Sequence, residues 1–165
     1  MPDRPVALWK AMPVEKRIRA AEAFWRDTES PDIAMQQAEA AMLLARRLNF
    51  RLKSVQGLSI ERRASQLGHV ADVSDPIASR ALIAYHFQSM RPLMAAFLDA
   101  LGIAHDAGLI SEENVEPPSR DKVAAAVKAI APSFPADDID LYLRTLTALD
   151  PETWGQLDGV SAHGT

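Results

Sequence analysis

The chain has 165 residues, the length of one ordinary domain, and with 48% apolar and 24% charged residues its composition excludes an intrinsically disordered protein. Cysteine is absent, which also excludes disulfides, thiolate nucleophiles and cysteine-ligated metals. The formal net charge of −4 is unevenly divided, because residues 1–98 carry net +4 and residues 99–165 carry net −8. This asymmetry favours an anionic partner for the basic part, or attraction between the two parts or between two copies.

Helix signals recur along the chain, and no stretch shows the alternating pattern of a strand. A capping side chain followed by proline predicts helix starts at Ser30-Pro31, Asp75-Pro76 and Asp150-Pro151. One helix face is indicated by the spacing of Val14, Ile18, Ala21 and Trp25. We predict helices over residues 14–27, 31–49, 59–69, 76–101, 120–131, 136–149 and 151–157.

The segment 77–101 is apolar nearly all round, with only Arg80, Arg91 and Asp99 charged. This is the pattern of a helix surrounded by other helices. Pro92 predicts a kink, because an interior proline removes a backbone hydrogen bond. Because Arg91 and Pro92 also interrupt the apolar run, we expect no membrane span.

The predicted fold class is all-α: a single-domain bundle of about six or seven helices around a long, apolar, Pro-kinked central helix. We expect a main bundle over 1–110, an exposed acidic and proline-rich connection over 111–119, and C-terminal helices over 120–165 packed on the bundle. The start of the chain lacks the apolar run of a signal peptide, so we expect a cytoplasmic protein.

Named catalytic and cofactor motifs are absent from the sequence. It contains no glycine-rich nucleotide loop, no HExxH, no GxSxG and no EF-hand loop. We therefore expect no cofactor, and a protein that binds rather than catalyses.

The most informative stretch is a run of cations that we call the basic joint, residues 46–63, in which Glu61 is the only acid. Its candidate anion-binding residues are Arg46, Arg47, Arg51, Lys53, Ser59, Arg62 and Arg63. Two arginines end one predicted helix, where cations are favoured, and two begin the next, where the helix dipole disfavours them. If the linker folds back, all converge around free N–H groups near Ser59, as a site for phosphate, nucleic acid or an acidic protein face. The alternative is a solvated helix joint whose arginines meet acids elsewhere.

One dipeptide, His105-Asp106, resembles the histidine–aspartate pair of the HD-domain metal phosphohydrolases, which are also all-helical. The resemblance implies a metal site completed by an upstream histidine, His86, and by one downstream aspartate. The candidates for that aspartate are Asp137, Asp138 and Asp140. The alternative places His105 and Asp106 in a polar loop after the helix that Gly102 ends, and makes His86 a core residue.

We therefore predict a non-enzymatic helical interaction module that forms homo-oligomers or binds a protein partner. Exposed tryptophans and opposite charges are expected to promote self-association, and the alanine-rich helix 33–48 permits close helix packing. Aromatic residues at helical spacing are expected in the core or in subunit contacts: Trp9, Phe24, Trp25, Phe50 and Trp154. The alternatives are a binder of polyanions through the basic joint and a metal phosphohydrolase.

Overall fold

The computed structural model describes residues 3–30 and 32–163, which are mostly helical and contain almost no strand. The all-α class predicted from the sequence is therefore confirmed. None of the helices in these two ranges has the length and hydrophobicity needed to cross a lipid bilayer. The chain divides into two compact units: a first unit of residues 4–88, and a second unit of residues 89–163 together with Asp3.

The first unit contains six helices among its described residues. They are α1 (Pro5–Ala11), α2 (Val14–Arg26), α3 (Ile33–Leu48), α4 (Leu52–Gln56), α5 (Ile60–Ala71) and α6 (Asp75–Ser89). Helix α5 packs against both α2 and α3, and the short α4 packs against α3. The largest fully buried side chains of this unit are Trp9, Tyr85, Phe24, Leu8, Leu44, Leu67, Ile77 and Leu82.

The second unit contains the remaining four helices and a small hairpin. They are α7 (Arg91–Leu101), β1 (His105–Asp106), β2 (Leu109–Ile110), α8 (Arg120–Ile130), α9 (Ala136–Leu149) and α10 (Pro151–Trp154), with a 3₁₀ turn at Gly155–Leu157. Helix α7 packs on α8, and α9 packs on α10. The Phe97 ring is fully buried, and its centroid lies 5.7 Å from that of Tyr142 and 6.2 Å from that of Trp154. Asp3 joins this unit through a bond from Arg144 Nε to its carboxylate at 2.8 Å.

Most predicted helices are confirmed to within two residues at each end. The short helices α1 and α4, of 7 and 5 residues, were not predicted, because so few residues show no periodic pattern. The hairpin was missed for the same reason, since each strand has 2 residues. The domain boundaries expected around 111–119 stay a prediction.

The single kinked helix expected over 76–101 is not confirmed, because two helices occupy this segment. Met90 between them has φ −125° and ψ 16°, outside the helical region. Pro92 lies in the first turn of α7, where a missing N–H breaks no hydrogen bond. The proline therefore starts a helix instead of kinking one.

The three predicted helix starts have different outcomes. Asp150 caps α10 as expected, accepting a hydrogen bond from the Thr153 amide at 3.2 Å. Asp75 is the first residue inside α6, and its carboxylate instead accepts bonds from the Arg4 guanidinium and from the Val6 amide at 3.1 Å. Ser30 donates its hydroxyl to Asp27, while α3 follows Asp32. Pro31, the other half of that predicted start, lies outside the described residues.

The expectation of exposed tryptophans is wrong. Trp9, Trp25 and Trp154 are all buried, with exposed fractions of 1%, 7% and 3%. The Trp9 indole also donates to the Asp72 carboxylate at 3.0 Å, which satisfies its polar atom inside the first unit. The tryptophans therefore build the core, and any contact surface must use other side chains.

Candidate functional site

The basic joint begins where α3 ends. Asn49 takes the left-handed conformation, with φ 55°, and the Phe50 amide reaches back to the Ala45 carbonyl at 2.8 Å. This is the usual way of closing a helix C-terminus, and asparagine tolerates it well. The chain then forms α4, so the segment expected to be a linker is itself partly helical.

The joint ends at the capped start of α5. Ser59 Oγ accepts a hydrogen bond from the Arg62 amide at 3.2 Å, and the Ser59 carbonyl accepts from the Arg63 amide at 2.9 Å. Ser59 is therefore a conventional N-cap that satisfies one of the free amides on which the predicted anion site depends. The backbone amides of Ile60 and Glu61 come earlier in the same turn, where the helix itself provides no acceptor for them.

Five cations of the basic joint are exposed and make no ion pair with any described residue. They are Arg46, Arg47, Arg51, Lys53 and Arg62. The one acid in the stretch, Glu61, faces Arg26 of α2 at 3.6 Å instead of its neighbours. The surface charge of the joint is therefore not neutralised by side chains beside it.

Arg63 has a different environment from the rest of the joint. Its guanidinium carbon lies 5.1 Å from the centre of the Trp25 ring, and the side chain is half-buried with no acceptor for its Nε. This stacking is a cation–π contact within the first unit. The sequence offered no signal for it, because the two residues belong to different helices. Whether the other cations act together on one anion stays a prediction.

The His105-Asp106 pair lies in β1, beyond the end of α7, as the polar-loop alternative expected. Adjacent residues of a strand point to opposite faces, so the two side chains do not converge on one ion. The Gly108 amide donates to His105 Nδ1 at 3.1 Å, which leaves the ring proton on Nε2. That nitrogen donates to the Asp99 carboxylate at 2.6 Å, so both ring nitrogens are in use.

The other proposed metal ligands have local hydrogen-bonding roles. His86 is buried in α6, in the first unit, and its Nδ1 lies 2.8 Å from the Leu82 carbonyl. Asp140 accepts the Ser161 hydroxyl at 2.9 Å and the Ala162 amide at 2.7 Å. Residues 3–30 and 32–163 contain no group of three or more histidines and acids arranged to hold a metal. The hydrolase alternative stays a prediction.

A cleft of about 130 Å³ lies between α2 and α5, and we call it the α2–α5 groove. Its lining consists of Trp9, Val14, Arg17, Ile18, Ala64, Ser65 and Gly68. Val14 and Ile18, which the helical spacing placed on one face with the core residues Ala21 and Trp25, are 59% and 40% exposed. The apolar face of α2 thus continues past the core into solvent.

Arg17 is the charged residue in the lining of the α2–α5 groove. The side chain is half-buried, its Nε is shielded from solvent, and no acceptor lies within hydrogen-bond distance of that atom. A shielded donor without an acceptor is uncommon in folded proteins, because losing water without gaining a partner is costly. The groove therefore combines apolar walls with an unsatisfied cationic side chain, a combination that the sequence alone did not indicate.

Comparison with known proteins yields no family: no family model matches the chain, and no curated protein or solved structure matches it significantly.

Proposed function

We propose that the chain is a non-enzymatic helical interaction module that acts by associating with further copies of itself. The supporting observation is the distribution of exposed apolar side chains. Nine large hydrophobic residues are exposed in the described part of the chain, and seven of them lie in the first unit. They are Val14, Ile18, Met35, Met42, Phe50, Leu52 and Val73. Adjoining exposed apolar side chains are typical of protein contact surfaces, and two of these seven, Val14 and Ile18, line the same groove.

The net charges of the two units are opposite in sign, so the units of different copies are complementary. Residues 4–88 contain 13 basic and 9 acidic residues, for a net charge of +4. The rest of the chain contains 5 basic and 13 acidic residues, for a net charge of −8. A first unit of one copy is therefore attracted to a second unit of another copy. Such attraction accelerates association and weakens as salt is added.

The test is the molar mass in solution. Light scattering and sedimentation equilibrium should give a weight-average mass above the 18.1 kDa monomer that rises with protein concentration. The mass should fall when salt is raised from about 50 mM to about 500 mM, because the Debye length shrinks from about 14 Å to about 4 Å. A mass that stays at 18.1 kDa at every concentration in low salt would contradict the proposal.

A second candidate function is polyanion binding by the basic joint. The observation that favours it is the set of five exposed cations without ion pairs among the described residues. Arginines with free guanidinium groups are suited to phosphates and sulfates, which they bind through paired hydrogen bonds.

Heparin binding in salt separates this candidate from general electrostatic attraction. The double variant Arg46→Glu/Arg62→Glu should bind heparin at least about tenfold more weakly than Lys10→Glu/Arg19→Glu, which makes the same change of charge at exposed sites outside the joint. The slope of affinity against salt should also fall only in the first variant. Equal weakening in both variants would reduce the basic joint to a solvated surface.

A further inference from the structure

The α2–α5 groove has the features of one half of an interface. Its walls are the exposed Val14 and Ile18 on one side and the small residues of α5 on the other. A Cβ placed on Gly68 would meet no heavy atom within 4 Å, so the groove has room beside this helix for an inserted side chain. Arg17 adds a shielded Nε without an acceptor. A ligand that brings an apolar side chain together with a carboxylate therefore complements this groove.

The hairpin of the second unit presents that pair of groups. Asp106 and Leu109 are directly opposite each other in the register of β1 and β2, so their side chains share one face. Both are exposed, Leu109 by 38%, whereas His105 and Ile110 on the opposite face are half-buried. The Asp106 carboxylate makes no hydrogen bond or ion pair with a described residue, although the backbone of Asp106 pairs with Leu109. We call Asp106 and Leu109 the hairpin face.

The turn of the hairpin holds this face in place. Ala107 and Gly108 both have positive φ, 49° and 91°, as required by the two-residue turn that matches the twist of an antiparallel pair. His105, on the other face, is fixed at both ring nitrogens by Gly108 and Asp99. The apolar and acidic groups are therefore presented by a constrained hairpin, which lowers the entropy lost on docking.

We propose that the hairpin face of one copy docks in the α2–α5 groove of a second copy. Leu109 lies beside Val14 and Ile18, and the Asp106 carboxylate accepts hydrogen bonds from Arg17 of the other molecule. Charge complementarity identifies the occupant of the groove. The groove belongs to the basic unit and carries an unpaired arginine, whereas the hairpin belongs to the acidic unit and carries an unpaired aspartate. This inference rests on the proposed self-association and names its surfaces.

The contact joins two different surfaces, so it is heterologous. A copy that docks through one of these surfaces still has the other surface free for a further copy. Docking gives the Arg17 guanidinium a carboxylate partner through its outer N–H groups, since Nε is closed to solvent, and removes apolar side chains of both partners from water. A desolvated pair of this kind contributes mainly to the lifetime of the complex, while the charges of the whole units contribute to its rate of formation.

A charge exchange tests the contact. Arg17→Glu and Asp106→Arg should each weaken self-association at least about tenfold, measured as the dissociation constant by sedimentation equilibrium in low salt. Combining both changes in one chain should bring the constant back to within about threefold of wild type, since the pair is restored with reversed sign. Matched controls are Arg19→Glu on the same helix and Glu113→Arg after the hairpin, both at exposed positions, which should leave the constant within about threefold of wild type. Val14→Ser, at a 59% exposed position, weakens association without the charge change and guards against misfolding of the Arg17 variant.

The outcomes separate the two proposals. A wild-type chain that is monomeric throughout overturns the proposed function, and this contact with it. A wild-type chain that associates, but whose constant responds to Arg17→Glu and Asp106→Arg no more than to the two controls, overturns the contact alone. Failure of the combined variant to recover, when circular dichroism shows it folded, likewise overturns the pairing of these two residues.

Discussion

The substitution Gly108→Ala should destabilise the second unit more than a glycine-to-alanine substitution at any other described glycine of that unit. Gly108 has φ 91°, a conformation that L-residues adopt at a cost of about 1–2 kcal/mol. Its missing Cβ would also lie 2.9 Å from Met94 Cβ and 3.4 Å from the Arg91 carbonyl oxygen. Carbon atoms pack at about 3.5–4.0 Å, so the hairpin and α7 must move apart.

The steric part can be isolated, because Gly102 is a matched control. It also has a left-handed backbone, with φ 74°, but an added Cβ there meets no heavy atom within 4 Å. Gly102→Ala should therefore cost only the backbone strain, about 1–2 kcal/mol. Forcing a methyl group into a packed site costs about 1–3 kcal/mol more, so Gly108→Ala should cost about 2–5 kcal/mol in unfolding free energy.

Urea unfolding followed by far-ultraviolet circular dichroism measures both variants, since helices dominate the signal. Hydrogen exchange of the α7 amides should show the loss in the second unit, with little change in α2 or α5. Equal destabilisation by the two substitutions would refute the reasoning, because the contact between the hairpin and α7 would then carry no measurable free energy.

Three further predictions concern the first unit. Hydrogen bonds from Arg4 and then from the Val6 amide hold the pKa of Asp75 below its ordinary value, so its stabilisation is present above about pH 3.9 and is lost as the pH falls through the folded pKa. The difference in unfolding free energy between wild type and Asp75→Asn should accordingly shrink from about pH 5 to about pH 2, and a constant difference would contradict this. Arg63→Ala should cost about 0.5–1 kcal/mol through the lost contact with an indole ring, whereas Arg62→Ala should cost nothing measurable in the same urea titration. Gly68→Ala should raise stability by about 0.5–1 kcal/mol, because the position is inside α5 and has open space around it; a loss of stability would show that the groove is already filled.

Some helix starts and stops were predictable from a local signal, whereas the signals at Ser30 and Asp75 did not mark caps. Ser119 caps α8 and Gly102 ends α7 in the left-handed conformation, and both boundaries follow from the residue types alone. Met90 carries no such signal for the break that its backbone angles show, so the sequence indicated one continuous helix there. Strands of two residues likewise lie below the length at which periodicity can be read.

Candidate binding residues were predictable only as a local excess of charge. The exposure of Arg46 and Arg62 follows from their positions at helix ends, but the stacking of Arg63 on Trp25 joins residues from different helices and required the tertiary structure. The same holds for Val14 and Ile18: their spacing identifies a helix face, yet only the packing of α5 determines how far along that face burial extends.

The bond between Arg144 and Asp3 bears on the order in which the chain acquires its structure during synthesis. The two residues are 141 positions apart, and both belong to the second unit. Residues 4–88 contain all the contacts that define the first unit, so that unit can fold while the rest is still being translated. Asp3, although it emerges from the ribosome before the first unit, can meet Arg144 only once α9 has been made. The second unit is consequently completed only after translation has passed residue 144.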